Sequence, residues 1–196
     1  AAVEGWISNE SARRLFALAG LDLDVMEKVA TQPGFRAVPL DLKASVELKN
    51  TVRRTRSANV VGILKGAKRP DEYVLYMAHW DHFGNAVGDG AAGDTIYNGA
   101  VDNATGVAGI LEVAKAFREG RRPDRSVVFV AVTAEESGLL GSAYYGQNPV
   151  FPLARTAAAI NIDAMYPIGR TRDIEVVGYG ASELEDYLKS ATQKQG

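Results

Sequence analysis

The spacing of apolar residues predicts an α/β protein. Apolar runs of strand length occupy four segments, namely 59–65, 73–78, 126–133 and 157–162. The last three are almost continuously apolar, which is typical of strands buried on both faces of a parallel sheet. A helix is predicted from Thr105 to about Arg118, because its apolar positions recur at helical spacing, and a shorter helix is predicted from Leu139 to Gln147. Alternating strands and helices from residue 73 onward favour one sheet with helices on both faces.

The pattern is weaker outside that region. Ser8 is a suitable cap for a helix ending near Ala19, and a second short helix is expected over residues 25–30. Alternating residues suggest an antiparallel strand over 45–52, and residues 174–177 suggest a further strand. Residues 69–72 are expected to form a turn, residues 83–98 a loop, and the segment after Ser182 a last helix.

Composition narrows the classes of function. The chain has 196 residues, a net charge of −2 and no cysteine, so disulfides and thiolate metal sites are excluded. The basic residues do not cluster beyond 53–56, which gives nucleic-acid binding little support. No stretch approaches the roughly 18 apolar residues that a membrane-spanning helix needs.

Acidic and imidazole side chains follow the predicted strands. His79 ends the run 73–78, Glu135 and Glu136 follow 126–133, Asp163 follows 157–162, and Asp102 precedes the helix at Thr105. The carboxyl ends of parallel strands lie at one edge of a sheet, where α/β proteins bind ligands. One imidazole with several carboxylates is a ligand set for zinc or another borderline divalent metal. Because neighbouring side chains alternate in direction, one of the two glutamates can bind a metal while the other meets substrate.

Four segments resemble the M28 family of metallopeptidases, and they occur in the family's order and with its spacing. They are Ala78–His82, Ile96–Gly106, Ala134–Gly138 and Asn161–Asp163. The resemblance implies a three-layer αβα fold with a mostly parallel mixed sheet, of the phosphorylase/hydrolase-like zinc peptidase type. It also implies a di-zinc aminopeptidase that acts on peptides with a free N-terminus, and a secreted or periplasmic location.

The resemblance assigns a role to each matching residue. His79 and Asp163 would bind the first metal, Asp102 would bridge both metals, and Glu136 would bind the second. Glu135 would be the general base. Asp81 would orient the ring of His79. A cis peptide is expected between Asp102 and Asn103, as in many members.

One metal ligand of the family has no counterpart in this resemblance. The family's second metal-binding histidine lies downstream of the position of Asp163, whereas this chain has only His79 and His82. The chain is therefore expected to be a C-terminally truncated catalytic domain with an incomplete second zinc site and doubtful activity as it stands. Residues 1–40 resemble the helical stretch after an inserted protease-associated domain, which leaves 41–196 as the peptidase domain.

Several alternatives stay open. His82 is either a second-shell or loop histidine or a direct metal ligand. The function is alternatively that of a glutaminyl cyclase, another amide hydrolase of the same fold, or a non-catalytic binding domain on a peptidase-like scaffold. The sequence fixes neither the preferred N-terminal residue nor the oligomeric state.

Overall fold

The structure is a computed structural model that describes residues 5–85, 93–166, 169, 171 and 173–195. The chain divides into two compact units, residues 1–53 and residues 54–196. Among the described residues, no helix is both long and apolar enough to cross a membrane.

The first unit contains two helices, α1 (Asn9–Leu18) and α2 (Leu23–Ala30). Ser8 caps α1 by accepting a hydrogen bond from the backbone N–H of Ser11, as the sequence predicts. Asp22 caps α2 in the same way. The strand predicted over 45–52 is wrong, since these residues are exposed and pair with no other described strand. An alternating pattern does not form a strand unless a second strand satisfies its backbone groups.

A four-stranded sheet forms the centre of the second unit. Its strands are β1 (Val60–Leu64), β2 (Arg69–His79), β5 (Arg125–Val132) and β6 (Thr156–Asn161), in the order β1-β5-β2-β6. β2 runs parallel to β5 and to β6, whereas β1 is antiparallel to β5. This mixed, mostly parallel α/β sheet confirms the predicted fold class, and it places the carboxyl ends of three strands side by side.

Helices cover the sheet on both faces. On one face, α4 (Leu140–Gln147) contributes Tyr145 to a buried cluster with Tyr73, Leu75, Val128 and Val130. On the other face, α3 (Thr105–Glu119) packs Phe117 against Tyr76, with ring centroids 6.2 Å apart. The alternation of side chains along β2 therefore supplies both layers of the core.

Two further expectations differ from the structure. Residues 69–72 belong to β2 and do not form a turn: a register irregularity between Arg69 and Tyr73 accommodates Pro70, and Arg125 pairs with Glu72 at 2.6 Å. Residues 174–177 form no strand, because no described strand lies beside them. The predicted loop 83–98 contains the short pair β3 (Gly84–Asn85) and β4 (Ile96–Tyr97), and the last helix is α5 (Leu184–Gln195).

Candidate metal centre

His79 is the last residue of β2, and its ring is oriented by the backbone that follows. Its side chain is only 1% exposed. Nδ1 lies 3.0 Å from the carbonyl oxygen of Asp81. A carbonyl can only accept, so Nδ1 carries the proton and the neutral ring has its lone pair on Nε2. The backbone of Asp81 thus fixes which ring nitrogen is available.

Carboxylate oxygens surround that nitrogen. Nε2 lies 2.9 Å from Asp102 Oδ1, 3.3 Å from Asp163 Oδ1 and 3.9 Å from Glu135 Oε2. With the proton on Nδ1, Nε2 and these oxygens are all acceptors, so Nε2 is a buried polar atom without a hydrogen-bond partner among the described residues. A buried nitrogen in this state costs free energy unless something else satisfies it.

The aspartates are held together by Asn103, which follows Asp102. The peptide bond between Asp102 and Asn103 is cis, which confirms that prediction. The Asn103 side chain is buried. Its Nδ2 donates to the carbonyl of Ile162, while its Oδ1 accepts from the N–H groups of Gly106 and Ala164. One amide therefore ties the Asp102 segment and the start of α3 to both neighbours of Asp163.

Glu135 and Glu136 lie in a tight turn between β5 and α4. The N–H of Leu139 donates to the carbonyl of Glu135, and Ala134 has a φ of 53°. The carboxylate of Asp81 accepts from the N–H of Glu135 at 3.1 Å. It lies 3.9 Å from Nδ1 of His79, too far for a hydrogen bond. The Asp81 carboxylate thus fixes the glutamate turn, whereas its backbone carbonyl orients His79.

The two glutamates have different partners. Glu135 faces His79, whereas Glu136 Oε1 lies 2.5 Å from Nδ1 of His82. Three groups of side chains offer ligand atoms within 4.8 Å of one another: His79 with Asp102 and Asp163, His79 with both glutamates, and His82 with Asp102 and Glu136. His79, Asp102 and Glu136 each belong to two of these groups.

The electrostatics of the centre shift two pKa values. Burial opposes charge on His79, but the Asp81 carbonyl and the carboxylates of Asp163, Glu135 and Asp102 outweigh it and raise the pKa of His79. Burial raises the pKa of Glu135, and the neighbouring carboxylates add to this effect, while His79 partly offsets it. Carboxylates crowded around one imidazole repel one another, and a divalent cation relieves that repulsion.

The residues present fit a metal ion. The lone pair of His79 Nε2 is buried and unpartnered, and it faces the oxygens of Asp102 and Asp163. One imidazole nitrogen and two carboxylates are three protein ligands of the kind that zinc accepts, leaving a position for a further ligand. The site residues are thus gathered at the strand ends, where the sequence analysis placed them.

Comparison with known proteins gives the family. The sequence model of peptidase family M28 matches residues 59–196. The chain belongs to peptidase family M28. The matched range contains every residue of the metal centre described above.

Individual M28 relatives are much longer than this chain. The aminopeptidase NAALADL1 of Mus musculus is 34% identical over 171 residues, which cover 83% of this chain and 21% of that protein. A probable zinc metalloprotease of Pyricularia oryzae is 35% identical over 148 residues, covering 75% of this chain and 26% of that protein. This chain thus spans about a fifth to a quarter of the length of these relatives. The crystal structure of BSAP, a zinc aminopeptidase from Bacillus subtilis, is similar over 54% of this chain and 24% of that one, with 28% identity and a TM-score of 0.42.

Sequence reasoning misses Asn103 and leaves His82 undecided. The partners of the Asn103 side chain in the 162–164 segment lie about 60 positions away, so no local pattern reveals them. The signal that was available is its position beside Asp102, directly before a helix. For His82, the structure adds the contact with Glu136, which lies 54 positions away in the sequence.

Proposed function

We propose that this chain forms the metal-binding core of a zinc-dependent peptidase that releases N-terminal residues from peptides. The observation that carries the proposal is the buried, unpartnered Nε2 of His79, which Asp102 and Asp163 face, with Glu135 close by. Membership of the M28 family and the name of the Pyricularia oryzae relative support both the peptidase class and zinc.

Glu135 has the position and the acidity of a proton carrier. When bound, zinc ions would supply Lewis acidity that polarises a scissile carbonyl and makes water more acidic. Glu135 would take a proton from the attacking water at its carboxylate and return it to the leaving amine. Its raised pKa suits that exchange, because it makes the carboxylate a stronger base than an ordinary glutamate.

Asp102 supports a second ion position beside the first. It faces His79 and Asp163 on one side and His82 and Glu136 on the other. A carboxylate shared between two ions is the arrangement of two-metal aminopeptidases. The acidic surroundings would also attract the ammonium group of a free peptide N-terminus, which favours removal of terminal residues over internal cleavage.

The proposal is tested on the protein at the full length that its gene encodes, loaded with zinc. We expect release of leucine from a leucyl anilide, and we expect Glu135→Gln to abolish that release while zinc binding persists. A peptide with an N-terminal glutamine serves as the comparison substrate. Cyclisation of this peptide without anilide hydrolysis would identify a glutaminyl cyclase. Turnover that survives in Glu135→Gln would remove Glu135 from the base role, and no turnover of either substrate would contradict the proposed activity.

A further inference from the structure

His82 and Glu136 form the shortest contact in the metal centre. Nδ1 of His82 lies 2.5 Å from Oε1 of Glu136, and the two side chains are 20% and 14% exposed. They come from different segments, the loop after β2 and the turn after β5. An ionised carboxylate can only accept, so the proton lies on Nδ1 and the imidazole donates it. A charge-assisted hydrogen bond of this kind is stronger than one between neutral groups.

Nδ1 of His82 and Oε1 of Glu136 are closer together than two ligands of one zinc ion would be. A nitrogen and an oxygen that each bind one zinc ion at 2.0–2.1 Å with tetrahedral angles lie about 3.3 Å apart. The observed 2.5 Å is much shorter than this, and it is also shorter than the roughly 2.7–2.9 Å of most N–H hydrogen bonds to a carboxylate. Nδ1 and Oε1 are thus arranged as donor and acceptor, and the second oxygen of Glu136 is left to face a cation.

The ring of His82 is itself held in place. It contacts Phe83 and Tyr97, with ring centroids 5.1 and 6.3 Å away. Gly99 packs closely against His82 and has a φ of 63°. A Cβ added at Gly99 would lie 2.9 Å from the Cβ of His82. A side chain at position 99 would therefore displace the imidazole.

We propose that His82 is a positioning residue that fixes the carboxylate of Glu136, through the Nδ1–H to Oε1 hydrogen bond, for the ion position shared with Asp102. The inference rests on the proposed metal-dependent function. A carboxylate already restrained at one oxygen loses less rotamer freedom when the other oxygen binds an ion. Partners of this type typically change metal affinity 10- to 100-fold.

The test is a titration of the metal-free chain with Co²⁺, followed by visible absorption and in competition with a chelator. His82→Ala removes the donor. His82→Asn keeps an N–H near the position of Nδ1, whereas His82→Gln carries its N–H further out, near the position of Nε2. Asn148→Ala is the control, since Asn148 is exposed and its side chain bonds only to the carbonyl of Tyr144, outside the metal centre. Far-UV circular dichroism checks that each variant folds.

We expect His82→Ala to weaken the second binding step by about 10- to 100-fold. We expect His82→Asn to recover most of this loss and His82→Gln to resemble His82→Ala. The control Asn148→Ala should resemble the wild type. At saturation all variants should give the wild-type cobalt spectrum, because the set of ligands is unchanged.

Other results would overturn the inference in identifiable ways. An unchanged second step in His82→Ala, or no recovery in His82→Asn, would show that the hydrogen bond does not prepare Glu136. A saturated His82→Ala spectrum with altered band intensity would show loss of a nitrogen ligand, and hence direct ligation by His82. A wild-type chain that binds no cobalt would refute the proposed function, and it would therefore also refute the proposed role of His82.

Discussion

Replacing Asn103 with alanine should destabilise the second unit and loosen its metal centre together. The side chain is 2% exposed and makes three hydrogen bonds, of 2.9 Å to Ile162, 2.9 Å from Gly106 and 3.2 Å from Ala164. At about 1 kcal/mol net for each bond, the free energy of unfolding should fall by about 3 kcal/mol. For a chain of this size that corresponds to a melting temperature lower by about 6–12 °C.

The assay is equilibrium unfolding in urea, followed through the NMR signals of the backbone amides in β5. Those signals report only the unit that contains the metal centre. Asn148→Ala is the matched control, because Asn148 is exposed and its Nδ2 makes a single 3.3 Å bond to the carbonyl of Tyr144. The control should change the free energy by less than about 0.5 kcal/mol.

The same variant should weaken zinc binding by about tenfold or more. Asn103 connects the segment of Asp102 to the residues on either side of Asp163, so its loss should let the two carboxylates move apart. A loss of stability below about 1 kcal/mol, or wild-type zinc affinity in Asn103→Ala, would refute the reasoning that this amide holds the centre together.

Two further predictions follow from glycine packing and from protonation. Gly106→Ala should lower the free energy of unfolding by about 1–3 kcal/mol, because its Cβ would overlap Asn103 Oδ1 and lie 2.6 Å from the backbone oxygen of Ile162. Gly109→Ala would meet the flexible end of Met165 at 2.7 Å and should cost less; equal effects in thermal unfolding would contradict this. Zinc affinity should fall as the pH is lowered from about 8 to 5, because the ion needs the neutral ring of His79 and protons compete for it. The raised pKa of His79 keeps the ring protonated up to a higher pH, so the fall should begin above the pH expected for an ordinary histidine; a titration series with constant affinity would contradict this.

The strands that build the metal centre could be predicted because they are buried on both faces. The runs ending at His79 and before Glu135 are almost continuously apolar, and each forms a central strand. Burial on both faces places such a run in the middle of a sheet. The strands predicted at 45–52 and 174–177 were wrong, because a short apolar pattern does not show whether a partner strand is available.

The residue types of the metal centre could be predicted from the sequence, but the contacts between those residues could not. Acidic residues at strand ends indicated a metal, and the structure gathers them around Nε2 of His79. The hydrogen bonds of Asn103 and His82 join positions more than 50 residues apart, and only the folded chain brings those positions together. The role of Asp81 shows the same limit, since its carbonyl orients His79 while its carboxylate binds the glutamate turn. The inserted protease-associated domain, the domain boundary at residue 40 and the secreted or periplasmic location stay predictions.

Zinc titration of the metal-free chain by calorimetry tests the central claim most directly, with His79→Ala and Asp163→Ala measured alongside. The account predicts a tight site in the wild type that is lost in both variants, and a rise in melting temperature on adding zinc that only the wild type shows, since a ligand of the folded state stabilises it. No zinc binding by the wild type, or equal binding by all three proteins, would contradict the assignment of a metal centre to His79, Asp102 and Asp163.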